Sequence, residues 1–105
     1  MKFFNFKRKR KDKDFPFDAP ENLITITCRH VMIDGNPILF ASRDDDYGEW
    51  QFLCGAEHTE TDAMIVALSE VYEKDASIAK ISKMPPGCCA ERESIGAEWQ
   101  IFHSD

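Results

Sequence analysis

The residues from 23 to 28 show the first regular alternation of apolar and polar side chains in the chain. Their sequence is LITITC, and successive side chains of a strand point to opposite faces. Ile24, Ile26 and Cys28 would therefore share one face, and the two threonines would share the other. This pattern predicts a half-buried β-strand.

Two further strands are predicted between residues 31 and 54. The apolar runs VMI and PILF flank Asp34-Gly35-Asn36, a sequence that favours a hairpin because glycine and asparagine tolerate positive φ. Pro37 lacks an N–H group, so the second run is expected at a sheet edge or at the start of a strand. The alternating segment WQFLC, residues 50–54, follows a polar loop and predicts a third strand in a meander.

The apolar spacing changes to a helical period in HTETDAMIVALSEVYEK, residues 58–74. We predict one main helix there, with Thr59 as its N-cap and Asp62 three residues later. An apolar stripe at helical spacing would form its buried face. The stripe consists of Met64, Ile65, Leu68, Val71 and Tyr72.

A shorter second helix is predicted after the main one. Asp75 would cap it, Ile78 and Ile81 would form its buried side, and the sequence PPG at residues 85–87 would end it. Two last strands are predicted at about residues 88–92 and 98–102. The chain thus predicts an α+β domain, with an antiparallel sheet of about five strands in the order βββαβ(β) and the main α-helix packed on one face.

Charge divides the chain into two parts. Residues 1–14 carry seven basic and two acidic side chains, a formal charge of +5, whereas the other 91 residues carry six basic and 17 acidic ones, a formal charge of −11. We therefore assign residues 1–20 to a basic N-terminal arm that contains phenylalanines, and residues 21–105 to one acidic domain. A domain of this charge repels nucleic acid and anionic membranes and favours a basic partner.

The arm allows two interpretations. Its basic residues and interleaved phenylalanines are typical of a segment that contacts an anionic lipid surface or RNA. We favour a solvated tail whose phenylalanines fold back onto the domain, because stable membrane attachment usually takes two signals. No apolar run approaches the roughly 18 residues of a membrane span, and the N-terminal residues lack the apolar core of a secretory signal. The expected location is therefore the cytoplasm, where thiols stay reduced.

Seven cysteine and histidine residues are candidate zinc ligands. Structural zinc sites usually contain close pairs such as C-x2-C, whereas this chain offers only C-x-H, C-x3-H and C-C spacings. The sequence therefore predicts no metal site and no cofactor. The residues considered are Cys28, His30, Cys54, His58, Cys88, Cys89 and His103.

The sequence also predicts no catalytic residues. Cys54 precedes the main predicted helix and His58 follows four residues later, but a reactive thiol is normally activated by cationic neighbours, and here the neighbours are acidic. Glycine-rich phosphate loops, a Ser-His-Asp order and catalytic carboxylates at a recognisable spacing are missing from the sequence. We therefore predict a non-enzymatic protein.

The segment DDDYGE, residues 44–49, concentrates carboxylates between two predicted strands. It can be a solvated hairpin tip, a contact patch for a basic partner, or a cation site, although it lacks the alternation of an EF-hand loop. As a contact patch it would use acidic groups to speed encounter, with aromatic residues as anchors. The candidate partner-binding residues are Asp44, Asp45, Asp46, Tyr47, Glu49, Trp50, Glu57 and Glu60.

Several short segments occur in the order found in a family of small bacterial proteins. They are TCRHV, NPILFASR, GEWQFLCGAE, DASI, PPG followed by ER, and a closing strand with a tryptophan. Over residues 23–102 the chain resembles immunity protein family 33 of bacterial polymorphic toxin systems, formerly described as a domain of unknown function.

The resemblance implies a cytoplasmic, antitoxin-like binder without catalytic residues, which would protect the cell from a toxin encoded nearby. It carries over no binding residues. It also implies that Cys88 and Cys89 are small residues packed where the helix crosses the sheet. The leading hypothesis is thus a module that binds a basic toxin. The alternatives are a peripheral membrane- or RNA-associated protein that acts through its arm, and a thiol or metal enzyme.

Overall fold

The computed structural model describes residues 15–56 and 60–103. These residues form six strands and a few short helices, so the predicted α+β class is confirmed. Residues 1–14, most of the predicted arm, lie outside the described ranges. The strands are β1 (Ile24–Cys28), β2 (Phe40–Arg43), β3 (Trp50–Leu53), β4 (Ala63–Ala67), β5 (Cys88–Glu91) and β6 (Gln100–His103); the helices are α1 (Arg29–Met32) and α2 (Leu68–Lys74), with 3-10 helices at Glu60–Asp62 and Ala76–Ile81.

The sheet is mixed rather than antiparallel, and its strand order is β4-β1-β3-β2-β5-β6. β1 pairs antiparallel with β4 but parallel with β3, where Thr27 lies opposite Phe52. The pairs β3–β2, β2–β5 and β5–β6 are antiparallel. Parallel neighbours cannot be joined by a tight turn, and here α1 and β2 lie between β1 and β3 along the chain. The prediction of an antiparallel sheet of about five strands is therefore wrong for the pair β1–β3 and one strand short.

The predicted hairpin at residues 34–36 does not form. The chain after β1 continues as α1, whose end is closed by hydrogen bonds from the N–H groups of Ile33 and Asp34 to the carbonyl oxygen of Arg29 at 2.7 and 3.2 Å. Gly35 has a φ of +78°, a conformation that suits a helix end as well as a hairpin turn. Since the same residues fit both structures, the local pattern could not decide between them.

The first half of the predicted main helix is a strand. Ala63–Ala67 form β4, which pairs with all five residues of β1, and only Leu68–Lys74 form α2. The apolar spacing of AMIVA suits a strand as well as a helix, and its isoleucine and valine favour the strand once the edge of β1 is available for pairing. The prediction was therefore wrong for β4 and correct for α2.

The start of α2 differs from the predicted cap as well. The N–H group of Ala67 donates a hydrogen bond to Oε1 of Glu70 at 3.0 Å, which is how a glutamate in the first turn stabilises a helix N-terminus. Thr59, the predicted N-cap, lies outside the described residues, and Asp62 ends the 3-10 turn before β4. The N-cap of α2 is therefore Ala67, the last residue of β4, which was not predicted as a strand.

The shorter second helix forms where it was predicted, as a 3-10 helix. Oδ1 of Asp75 accepts a hydrogen bond from the N–H group of Ser77 at 3.1 Å, so Asp75 is its N-cap. Ile78 and Ile81 are buried in the core. The prediction of this cap and of its buried side is confirmed.

The buried face of β1 is its polar one. Thr25 and Thr27 are 1% and 0% exposed, whereas Ile24 is 67% exposed. Oγ1 of Thr27 donates a hydrogen bond to the carbonyl oxygen of Phe52 at 2.6 Å, so the buried hydroxyl has a partner. The isoleucines therefore lie on the opposite face of the sheet, next to Ile65 of β4, which is 72% exposed.

The core extends into the predicted arm. Phe17 is 5% exposed, and its ring lies edge-on to Trp50 at 5.2 Å and to Phe52 at 6.2 Å between centroids. Phe15 contacts Tyr72 of α2 in the same edge-on manner at 5.8 Å. The last two phenylalanines of the arm therefore pack between α2 and the sheet.

Candidate functional site

The loop between β2 and β3 presents four carboxylates and a tyrosine to solvent. Its exposed residues are Asp44, Asp45, Asp46, Tyr47 and Glu49. Oδ2 of Asp44 accepts a hydrogen bond from the N–H group of Tyr47 at 2.8 Å. The N–H group of Asp44 donates to the carbonyl oxygen of Glu49, also at 2.8 Å. The loop thus has a shape set by its own hydrogen bonds, and Tyr47, 86% exposed, projects from it.

The turn before β5 braces this acidic loop from one side. Nη1 of Arg43 donates to the carbonyl oxygen of Met84 at 2.9 Å, and the N–H group of Gly87 donates to the carbonyl oxygen of Arg43 at 2.8 Å. Gly87 has a φ of +86°, and a Cβ atom at this position would lie 3.1 Å from Oδ1 of Asp45. The positive φ favours glycine, and a Cβ atom here would crowd the carboxylate of Asp45, so glycine lets the PPG turn lie directly against the loop.

The structure separates the predicted partner-binding residues. Five of them, residues 44–47 and 49, lie together on the exposed loop. Trp50 is 2% exposed, and its ring stacks on Phe52 with the centroids 5.4 Å apart. Because Trp50 is part of the core, its predicted role as an apolar anchor is wrong. Glu57 and the side chain of Glu60 lie outside what the structure describes.

A second acidic surface lies at the opposite end of β2, where the sequence indicated none. It is a cleft of about 850 Å³ that is lined by half-buried apolar side chains and exposed carboxylates. The pairing of Phe40 with Glu91 across β2 and β5 helps to bring its walls together, so no local sequence pattern could have predicted it. Its lining includes Leu39, Phe40, Leu53, Glu91, Glu93 and Glu98.

Arg92 also lines this cleft, but its charge is neutralised inside the protein. Nη2 of Arg92 lies 3.0 Å from Oδ2 of Asp75. Its Nε atom donates to the carbonyl oxygen of Ile38 and its Nη1 atom to Oγ of Ser77, both at 2.9 Å. The guanidinium also stacks on Trp99, with Cζ 4.2 Å from the ring centroid. The glutamates therefore dominate the electrostatic potential of the cleft.

Two cysteines and a histidine converge at the end of β1. The ligand atoms of Cys28, His30 and Cys54 all lie within 4.8 Å of one another, and Sγ of Cys54 is 3.7 Å from Nδ1 of His30. Burial raises the pKa of the Cys28 thiol, and hydrogen bonds from the backbone at Val31 and Cys54 only partly offset this. All three residues are candidate ligands in the sequence, but their spacing along the chain does not reveal that β1 and the end of β3 are neighbours.

The other candidate metal ligands do not join this cluster. Cys88 and Cys89 are adjacent on β5, so their side chains point to opposite faces. His103 lies opposite Cys88 on β6, and His58 is outside the described residues. Among the residues that the structure describes, only Cys28, His30 and Cys54 form a group of three that could hold a metal ion.

The burial of Cys28 and Cys54 argues against a role of either thiol as a nucleophile. Cys28 is 1% exposed and Cys54 is 6% exposed. Nδ1 of His30 lies 3.7 Å from Sγ of Cys54, and His58, the histidine considered from the sequence, lies outside the described residues.

Comparison with known proteins yields no relative. No family model, no curated protein and no solved structure matches the chain. Within the described ranges, no helix combines the length and apolar character needed to cross a membrane.

Proposed function

We propose that this protein is a non-enzymatic binding module of the immunity type, which neutralises a basic toxin in the cytoplasm by direct contact. The observation that carries the proposal is Tyr47, an aromatic side chain that is 86% exposed within a loop of exposed carboxylates. Aromatic residues often supply most of the affinity of an interface, because a rigid ring buries a large area at a small entropic cost.

The charge of the domain supports a basic partner. Outside residues 1–14 the chain carries a formal charge of −11. Of the six basic side chains in that part, Arg43 and Arg92 are already engaged in contacts within the protein. A field of this sign raises the rate at which a basic protein encounters the domain, and the carboxylates beside Tyr47 select for a complementary surface.

The fixed shape of the acidic loop also favours binding. Asp44 closes the loop through its side chain and its backbone, and the turn at Gly87 holds it from the side. A partner that binds a loop already in its final conformation does not have to supply the free energy of ordering it. The loop therefore suits recognition better than a flexible acidic tail would.

The toxin as the specific partner is taken from the resemblance to the immunity family. The sequence segments that carry this resemblance include residues of the described framework, such as Asp75, Arg92 and Trp99. In this chain they form the buried network beneath the cleft. They are therefore suited to maintaining a common fold, while exposed residues such as Tyr47 determine which partner is bound.

Affinity capture from the native cell lysate, read by mass spectrometry at low and at high salt, tests the proposal. The tagged full-length protein should recover a basic protein that is lost as salt rises. Tyr47→Ala should greatly reduce the recovery, because the aromatic anchor is removed. The triple variant D44K/D45K/D46K should slow association with the recovered protein and flatten the salt dependence of the rate.

A matched control separates a local interface from a general effect of net charge. The variant D18K/D34K/E73K changes three exposed acidic residues elsewhere by the same total charge, and it should retain more of the binding than the loop variant. Equal losses in both triple variants would argue against a specific interface on the loop. Loss in E91K/E93K/E98K alone would place the interface in the cleft.

Deletion of residues 2–14 distinguishes the proposal from the alternative in which the basic arm binds a membrane or RNA. The immunity proposal predicts that the recovered protein partner still binds after this deletion. The alternative predicts that RNA or lipid is recovered with the full-length protein and is lost with the arm. The deletion stops before Phe15 and Phe17, because these residues pack in the core.

A further inference from the structure

The ligand atoms of Cys28, His30 and Cys54 lie close enough together to share one metal ion. Its two sulfur atoms and one imidazole nitrogen lie within 4.8 Å of one another. Sγ of Cys54 and Nδ1 of His30 are 3.7 Å apart, and sulfur and nitrogen ligands of a tetrahedral zinc ion are separated by about 3.6 Å. The distance from Cys54 to His30 therefore matches that of two zinc ligands, and the other two separations, both within 4.8 Å, are short enough for side-chain rotation to complete the site.

The fold brings these ligands together from distant parts of the sequence. β1 and β3 are parallel neighbours, so their carboxyl ends lie at the same edge of the sheet. Cys28 is the last residue of β1, Cys54 directly follows β3, and His30 is in α1, which continues from β1. Two of the three residues thus lie in regular secondary structure and the third directly follows a strand, and ligands held by helices and strands are positioned more precisely than ligands on loops.

We propose that Cys28, His30 and Cys54 bind one Zn²⁺ ion, with a fourth tetrahedral position left for water or another ligand. Two thiolates and an imidazole form a donor set that zinc prefers over magnesium or calcium, which take oxygen ligands. Each cysteine gives up its thiol proton to solvent as its sulfur binds the ion. The two thiolate charges then balance the charge of Zn²⁺.

Backbone hydrogen bonds are available to orient the sulfur atom of Cys28. The backbone at Val31 and at Cys54 hydrogen-bonds to the sulfur of Cys28, and such contacts from the second layer of residues orient metal ligands. Cys28 and Cys54 are buried, and His30 is partly exposed. The ion could therefore enter from the side of His30 while the sulfur atoms stay shielded from oxidation.

The proposed ion would connect three elements and one binding surface. It would join the end of β1, helix α1 and the residue that follows β3. Gly55 and Ala56 come next in the chain and line the acidic cleft. Zinc would thus set the shape of the cleft at this end, a role that is independent of the proposed binding of a toxin through Tyr47.

Zinc titration of the full-length protein tests the site. The protein is treated with a chelator and a non-thiol reductant, freed of both, and titrated with Zn²⁺ in competition with a chromophoric chelator. We expect one ion per chain with a dissociation constant below about 1 μM. Substitution of Co²⁺ for Zn²⁺ should give an absorption band from sulfur-to-metal charge transfer, which reports directly on bound thiolates.

Single substitutions identify the ligands. Cys54→Ser should weaken zinc binding at least about 100-fold and reduce the charge-transfer absorption of the cobalt form by about half, because one of the two thiolates is lost. The control is Cys89→Ser, which changes another buried cysteine, 7% exposed and outside the cluster. It should bind zinc like the unaltered protein.

His30→Gln tests the site in case the cysteine variants fail to fold. His30 is partly exposed, whereas Cys28 and Cys54 are buried, so its replacement should disturb the fold least. It should weaken zinc binding while the thiolate absorption of the cobalt form remains. Binding weaker than about 1 μM in the unaltered protein, or an equal loss in Cys89→Ser and Cys54→Ser, would overturn the proposal.

Discussion

Nη2 of Arg92 lies 3.0 Å from Oδ2 of Asp75, and the two side chains are only 1% and 6% exposed. This buried ion pair joins the end of β5 to the start of the 3-10 helix at residues 76–81. The same carboxylate oxygen of Asp75 accepts a hydrogen bond from the N–H group of Ile38 at 3.2 Å. One carboxylate and one guanidinium therefore connect three segments that are distant in sequence.

Arg92→Met should lower the free energy of unfolding by roughly 3–5 kcal/mol, because it leaves the buried carboxylate of Asp75 without its cation. Urea denaturation followed by fluorescence measures this change. The control Arg29→Met removes an exposed arginine and should change stability by no more than about 0.5 kcal/mol. A loss below about 1 kcal/mol in Arg92→Met would show that the ion pair adds little to the fold.

Phe17→Ala should cost about 3–5 kcal/mol, since a buried aromatic ring is lost together with its contacts to Trp50 and Phe52. Thermal and urea denaturation both report the change. Tyr47→Ala, which removes an aromatic ring that is 86% exposed, serves as the matched control and should stay within about 0.5 kcal/mol. Equal stability of the two variants would mean that Phe17 does not belong to the core.

The pair Ile65→Ala and Leu68→Ala tests the change from strand to helix at residue 68. The helical pattern placed both residues on one buried face, but Ile65 is 72% exposed and Leu68 is 0% exposed. We expect Leu68→Ala to cost about 2–5 kcal/mol and Ile65→Ala less than about 1 kcal/mol. Similar large losses at both positions would instead favour the continuous helix.

Gly87→Ala should destabilise the protein more than Gly35→Ala. Both glycines have positive φ, +86° and +78°, which costs an alanine about 1–2 kcal/mol at either position. At Gly87 the new Cβ atom also lies 3.1 Å from Oδ1 of Asp45, whereas at Gly35 it has no neighbour within 4 Å.

The double variant G87A/D45A isolates the part of the destabilisation that comes from the contact with Asp45. Removing the carboxylate of Asp45 should bring the loss at Gly87 down to that at Gly35, as measured by urea denaturation. If the double variant were no more stable than Gly87→Ala, then the loop and the PPG turn would not be in close contact. In that case the PPG turn would not hold the acidic loop in place.

Features with a local cause could be predicted from the sequence. The strand at residues 50–53 follows from strict alternation, the cap at Asp75 from a short polar side chain before an apolar segment, and the end of that helix from Pro85 and Pro86. Each of these requires only residues that are close in the chain. The confirmed predictions are therefore those in which backbone chemistry leaves one choice.

Features that depend on pairing between distant segments could not be predicted. Whether residues 63–67 form a helix or a strand depends on the edge of β1, which lies almost 40 residues earlier. Whether the threonines or the isoleucines of β1 are buried depends on which face α2 covers. Thr27 can be buried without an unsatisfied hydroxyl because the carbonyl oxygen of Phe52 accepts a hydrogen bond from it.

The candidate sites show the same difference between local sequence and long-range pairing. The acidic loop is contiguous, so the sequence alone determined its composition, its charge and the presence of Tyr47. The group of Cys28, His30 and Cys54 exists because parallel pairing places the ends of β1 and β3 at one edge of the sheet. The cleft depends instead on the pairing of β2 with β5, which places Phe40 opposite Glu91. Sequence determined which chemical groups this protein has, and the tertiary structure decided which of them meet, because distances between side chains depend on strand order rather than on spacing along the chain.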